Sequence, residues 1–112
     1  MERADVVIAG LGIAGSLAAR DIARAGYKVI VVERLSADNL GHHWWDSVEM
    51  CVFKEVGLPD PEPPERMNPT GEVRLISPLE SVSFKSGALS FKPNIERRLL
   101  AKRLVGYVRE SG

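Results

Sequence analysis

The chain has almost no cysteine. Cys51 stands alone among 112 residues, so no intrachain disulfide can form, and a reducing, cytoplasmic setting is expected. Charge of one sign is also missing: fifteen basic residues balance fifteen acidic ones, and nothing attracts nucleic acid or an anionic surface in bulk. No apolar run approaches a membrane span, so no transmembrane segment is expected. Glu2, Arg3 and Asp5 interrupt the start, so a secretory signal is not expected either. There is no internal repeat. Apolar content of 45% is enough for a core, and the length limits the expectation to one domain.

What is present begins at once. Val6-Val7-Ile8-Ala9 is a short β-branched run suited to a buried parallel strand. It ends in Gly10-Leu11-Gly12-Ile13-Ala14-Gly15, a GxGxxG. A small-residue helix follows from Ile13 to about Ala25, closed by Gly26, and a second buried strand, Val29 to Val32, ends at Glu33. Strand, glycine turn, helix and strand within about thirty residues form the context that a dinucleotide fingerprint requires. Gly10 allows the tight turn, Gly12 lets a pyrophosphate approach the backbone, and Gly15 lets the helix pack close. The start of the helix, at Ile13 and Ala14, offers free N–H groups and partial positive charge to phosphate. Glu33 is placed to accept hydrogen bonds from a ribose diol and would repel a 2′-phosphate, which disfavours NADP at this site. On the helix, Ile13, Ala14, Leu17, Ala18 and Ile22 are expected to be buried, and Arg20, Asp21 and Arg24 to face water.

The rest is less regular. Residues 35–41 read as loop. A helix is expected from about Asp46 to Val56, with Val48, Cys51, Val52 and Val56 as its apolar stripe and Gly57 and Pro59 stopping it. Residues 59–69 hold five of the seven prolines and should be extended, with little helix or sheet. Alternation at Val73 and Leu75, Val82 and Phe84, and Leu89 and Phe91 predicts three short antiparallel strands. Pro93-Asn94 is expected to open a helix from Ile95 to Glu110, with Ile95, Leu99, Leu100, Leu104, Val105 and Val108 on its apolar face.

Three segments together resemble a known family. The opening unit with Glu33-Arg34, the stretch Asp46–Leu58 and the run Arg97-Arg98-Leu99-Leu100 through Leu104 are similar to FAD-dependent oxidoreductases of the group that includes aromatic-ring hydroxylases and geranylgeranyl reductases. The resemblance implies an α/β fold: a Rossmann-like FAD-binding βαβ unit with a small antiparallel β excursion and a closing helix. Residues 1–58 would open the nucleotide-binding domain, 59–93 would begin the substrate domain, and 94–112 would return the chain. Gly10, Gly12, Ile13, Ala14 and Gly15 would hold the FAD pyrophosphate, Glu33 the adenosine ribose, and Arg34 would lie along the adenosine half. Arg97 would approach the phosphates or ribityl chain, with Arg98 as second choice. NAD(P)H is one implied electron donor, and the implied substrate is a small, apolar molecule. Two departures stand out. His42, His43, Trp44 and Trp45 occupy a region where many members carry a cofactor-binding arginine. The family is also several times longer, which leads to the expectation of an N-terminal fragment, inactive alone.

The residues admit other readings. His42, His43 and Cys51 lack the further ligands of a tetrahedral metal site, so no metal is expected. Trp44 and Trp45 could stack on a flavin, but partly buried packing is the favoured reading. Cys51, on an apolar stripe, reads as a buried inert thiol. No catalytic side chain is assignable, because in a flavoprotein the cofactor carries the chemistry. The alternatives are a non-catalytic dinucleotide-binding module and an NAD-dependent dehydrogenase domain. The β-rich stretch so soon after the first unit argues against the dehydrogenase.

Overall fold

The computed structural model describes residues 3–67, 73–76, 78–79, 81–84 and 92–111. The chain divides into two compact units, residues 1–44 with 96–112, and residues 45–95.

The first unit is built on a parallel pair. Strand β1 (Val6–Ala9) lies beside β2 (Val29–Val32), with Val6 opposite Val29 and Ala9 opposite Val32. Helix α1 (Ile13–Arg24) connects them, as the sequence predicts. The last helix of the chain (Arg97–Glu110) packs against α1 in the same unit. That neighbour shifts the buried face of α1. Ser16, Ala19 and Arg20 are buried, whereas Ala14 and Ala18 are exposed. Burial of Arg20 corrects the expectation that it faces water. A helix from the far end of the chain covers this side, and Arg20 Nε bonds Asp21 Oδ1 at 2.7 Å, so the charge is matched where the stem is buried. Between β2 and the last helix, residues 37–39 form one 3₁₀ turn. Leu40 then enters a small core with Ala101 and Val105, against which Leu11 and Ala37 pack.

The second unit corrects two helix boundaries. Residues 45–47 form a strand, β3 (Trp45–Ser47), and the helix expected from Asp46 shrinks to α2 (Cys51–Glu55). The cause is the segment 92–94. Val48 N–H donates to the Pro93 carbonyl at 3.1 Å, Ser47 Oγ bonds Asn94 Oδ1 at 2.9 Å, and Lys92 pairs with Glu49 at 2.7 Å. Sheet partners outside the local window claim residues whose apolar spacing reads as helical. Helix α2 ends at Gly57, where Leu58 N–H returns to the Phe53 carbonyl at 2.7 Å, and Phe53 and Leu58 are both buried. The expected stripe is therefore wrong: Cys51, Val52 and Val56 are exposed and Phe53 is the inward residue. Cys51 is an exposed free thiol, because so short a helix has only one buried position to offer.

The proline-rich stretch, expected to hold little helix or sheet, carries a two-residue strand, β4 (Arg66–Met67). After it, β5 (Val73–Ile76) and β6 (Ser81–Phe84) pair antiparallel, Val73 opposite Phe84. The third strand of the alternating pattern, at Leu89 and Phe91, lies outside the described residues. Residues 94–96 form β7 (Asn94–Glu96), which takes the centre of a three-stranded sheet between β3 and β4. Ile95 is thus a fully buried strand residue and not part of the last helix. Helix α3 (Arg97–Glu110) begins after it, where the Glu96 carboxylate caps the helix by accepting Leu99 N–H at 2.8 Å. Leu100, Leu104 and Val105 are buried as expected, together with Ala101. The fold class is mixed α/β, a parallel βαβ unit with a small antiparallel excursion and a closing helix.

Candidate functional site

The turn between β1 and α1 is shaped by its three glycines, each differently. Gly10 has φ +101°, a region that L side chains rarely adopt. A Cβ on Gly15 would lie 2.0 Å from the Gly10 carbonyl oxygen, so only glycine lets the helix sit this close to the turn. Gly12 is neither strained nor crowded: its φ is −72°, and a Cβ there would meet nothing within 4 Å. The space above Gly12 is open.

The turn is fixed from two sides. Leu11 N–H donates to Glu33 Oε2 at 2.7 Å, and Ser16 Oγ donates to the Leu11 carbonyl at 3.2 Å. Glu33 Oε1 accepts Leu35 N–H at 2.9 Å. These backbone donors, Leu11 first and Leu35 second, hold the Glu33 carboxyl below the usual glutamate range and keep it ionised. Ser16 is 1% exposed, and sequence reasoning did not single it out. Its only signal is a polar residue directly after the third glycine, on the helix face that packs inward.

The helix start presents donors to this open space. The first bond within the helix is Ser16 N–H to the Gly12 carbonyl at 2.8 Å. The N–H groups of Ile13, Ala14 and Gly15 therefore have no acceptor in their own helix, and no acidic side chain stands in the first turn. Beside the turn, Ala9, Gly10, Val32, Glu33 and Arg34 line an open cleft of about 560 Å³. Of the residues expected to bind the cofactor, Gly10, Glu33 and Arg34 line this cleft, while Gly12, Ile13, Ala14 and Gly15 belong to the turn and helix start beside it. Arg97 is not among the residues that line this cleft.

Comparison with known proteins decides what class of turn this is. Residues 5–47 match the FAD binding domain family. Over that span, the match supports an FAD-binding portion. The match starts before β1 and runs through β3, so it contains the glycine turn, α1 and Glu33. A digeranylgeranylglycerophospholipid reductase from Sulfolobus acidocaldarius is 35% identical over 75 residues, 66% of this chain and 17% of that protein. A crystal structure of a geranylgeranyl bacteriochlorophyll reductase-like protein from Thermoplasma acidophilum superimposes over 100% of this chain and 29% of that one, with a TM-score of 0.70 and 22% identity. The second likeness speaks for the fold. The chain spans less than a third of either relative.

The residues present fit FAD. The open space over Gly12, the unsatisfied helix N–H groups and the ionised Glu33 suit a diphosphate flanked by a ribose.

Trp44 does not become the partly buried packing residue expected of it. Trp44 and Trp45 are 64% and 41% exposed. The backbone of Trp44 is what the fold uses, since its carbonyl accepts Arg97 N–H at 3.0 Å. Among the described residues no group of three His, Cys, Asp or Glu is placed to hold a metal ion, and no helix is long and apolar enough to cross a membrane.

Proposed function

We propose that this chain is the nucleotide-holding part of a flavin-dependent reductase whose substrate is a small, apolar, isoprenoid-type alkene. The observation that carries the reading is the bond from Leu11 N–H to Glu33 beneath an open Gly12. Gly10, Gly12, Ile13, Ala14 and Gly15 would hold the diphosphate, Glu33 the ribose diol, and Arg34 the adenosine half. An arginine of the first α3 turn, Arg97 by family resemblance, would serve the phosphates or ribityl chain. Residues 59–93 would open a substrate domain and 94–112 return the chain to the nucleotide-binding domain. FAD, when bound, supplies hydride transfer, with NAD(P)H as one donor. The protein's part is to bind and orient it. The name of the Sulfolobus relative favours a reductase over a hydroxylase. The single cysteine and balanced charge support a cytoplasmic setting.

Titration of the purified chain with FAD, ADP, NAD and NADP tests the cofactor reading. FAD and ADP should bind, with NADP weakest because Glu33 opposes its 2′-phosphate. Absence of binding to all four would remove the proposal. FAD binding without reduction by NADH or NADPH would favour a binding module over a reductase and would count against the donor assignment.

A further inference from the structure

Ser16 holds the glycine turn at two points. Its backbone N–H donates to the Gly12 carbonyl at 2.8 Å, and its hydroxyl donates to the Leu11 carbonyl at 3.2 Å. Any residue but proline would supply the first bond at this position. The second needs a short side chain with a donor close to the backbone. Ser16 is 1% exposed, so its hydroxyl is shielded from water and committed to a partner in the protein.

The two bonds decide where two N–H groups point. The peptides on either side of Gly12 are trans. In a planar trans peptide the N–H points opposite to the C=O. With the Leu11 and Gly12 carbonyls both turned to Ser16, the N–H groups of Gly12 and Ile13 are both turned away from it. Nothing crowds Gly12 itself, since a Cβ there would meet nothing within 4 Å.

The neighbouring peptide needs no such help. The N–H of the Gly10–Leu11 peptide is held by Glu33 at 2.7 Å, and its carbonyl lies against Gly15. Among the described residues, the Leu11–Gly12 peptide is held by the Ser16 hydroxyl alone. Glycine at position 12 lets that peptide rotate at little cost. Without the hydroxyl it can turn over and present a carbonyl where its N–H stood, and a carbonyl repels a diphosphate.

We propose that Ser16 is a positioning residue: its hydroxyl draws the Leu11 carbonyl inward and thereby aims the Gly12 N–H at the dinucleotide's diphosphate. The proposal rests on the dinucleotide reading above and goes beyond it in giving a buried helix residue, which touches no ligand, control of one donor.

The test combines equilibrium binding of FAD, ADP and adenosine to the whole chain with amide spectra of the isotopically labelled protein. Ser16→Ala should unfold in urea near the wild type, because the higher helix propensity of alanine offsets the lost hydroxyl. It should weaken FAD and ADP about tenfold, the size of one hydrogen bond to a charged group, and leave adenosine unchanged. At saturating ADP, the Gly12 amide of Ser16→Ala should shift less than in the wild type, while those of Ile13, Ala14 and Gly15 shift alike in both. Ser16→Cys, whose thiol is a weak donor, should fall between the two under reducing conditions, and carries the comparison should Ser16→Ala fail to fold. Wild-type affinity for FAD and ADP in the Ser16 variants, or a loss of shift shared equally by all four amides, would overturn this proposal alone. No FAD binding by the wild type would overturn the reading beneath it.

Discussion

Gly15→Ala is expected to cost the first unit its fold, whereas Gly12→Ala is expected to leave the fold intact and abolish FAD binding. The two glycines are three residues apart in one motif, yet their surroundings differ completely. A methyl on Gly15 would sit 2.0 Å from the Gly10 carbonyl oxygen, and that atom is backbone. The turn and helix would have to separate, and overpacking of this kind costs about 3 kcal/mol or more. Urea denaturation should show Gly15→Ala at a much lower midpoint, or with no cooperative transition. A methyl on Gly12 meets nothing within 4 Å and asks for no strained backbone. It enters the space a diphosphate would occupy, so Gly12→Ala should unfold with the wild type and fail to titrate with FAD. Equal stability losses in both variants would refute the division of roles.

Glu33→Gln carries the second large effect. The Glu33 carboxylate takes one N–H from the turn and another from Leu35, and its ionised form is favoured by both. An amide keeps one acceptor oxygen and replaces the other with a donor facing an N–H group. FAD and ADP affinity should fall at least tenfold, since a ribose diol loses its anionic acceptor as well. Acid should mimic the substitution. The folded-state pKa of Glu33 lies below its ordinary 4.5, so its stabilising tie is complete above that value and is lost as pH falls through the lowered one. Acid unfolding of Glu33→Gln, followed by far-ultraviolet circular dichroism, should lack that part of the wild-type transition. An unchanged acid limb would show that the tie contributes nothing.

The opening unit was legible because its information is local. Glycine spacing, β-branched runs and a terminal acid dictate the turn, the helix and the parallel pairing within some thirty residues. Later segments were not legible for the opposite reason. Whether Asp46 and Ser47 are helix or strand is decided by residues 92–96, almost fifty positions away. Ile95 looks like the first position of an apolar helical stripe, yet it is buried in the middle strand of a sheet that Arg66 and Met67 complete. Arg20 reads as a solvent-facing charge until α3 packs beside it. In the site, the role of Ser16 could not be read, because it depends on where a carbonyl sits in space and no residue spacing encodes that.

The central claim is that the backbone from Gly12 to Gly15 receives a diphosphate with Glu33 at the adjoining sugar. Amide chemical shifts of the isotopically labelled chain, followed during titration with ADP, address it residue by residue. The account predicts saturable shifts at Gly12, Ile13, Ala14 and Gly15, with smaller ones at Glu33 and Arg34. Saturable shifts elsewhere with these amides unmoved would contradict it.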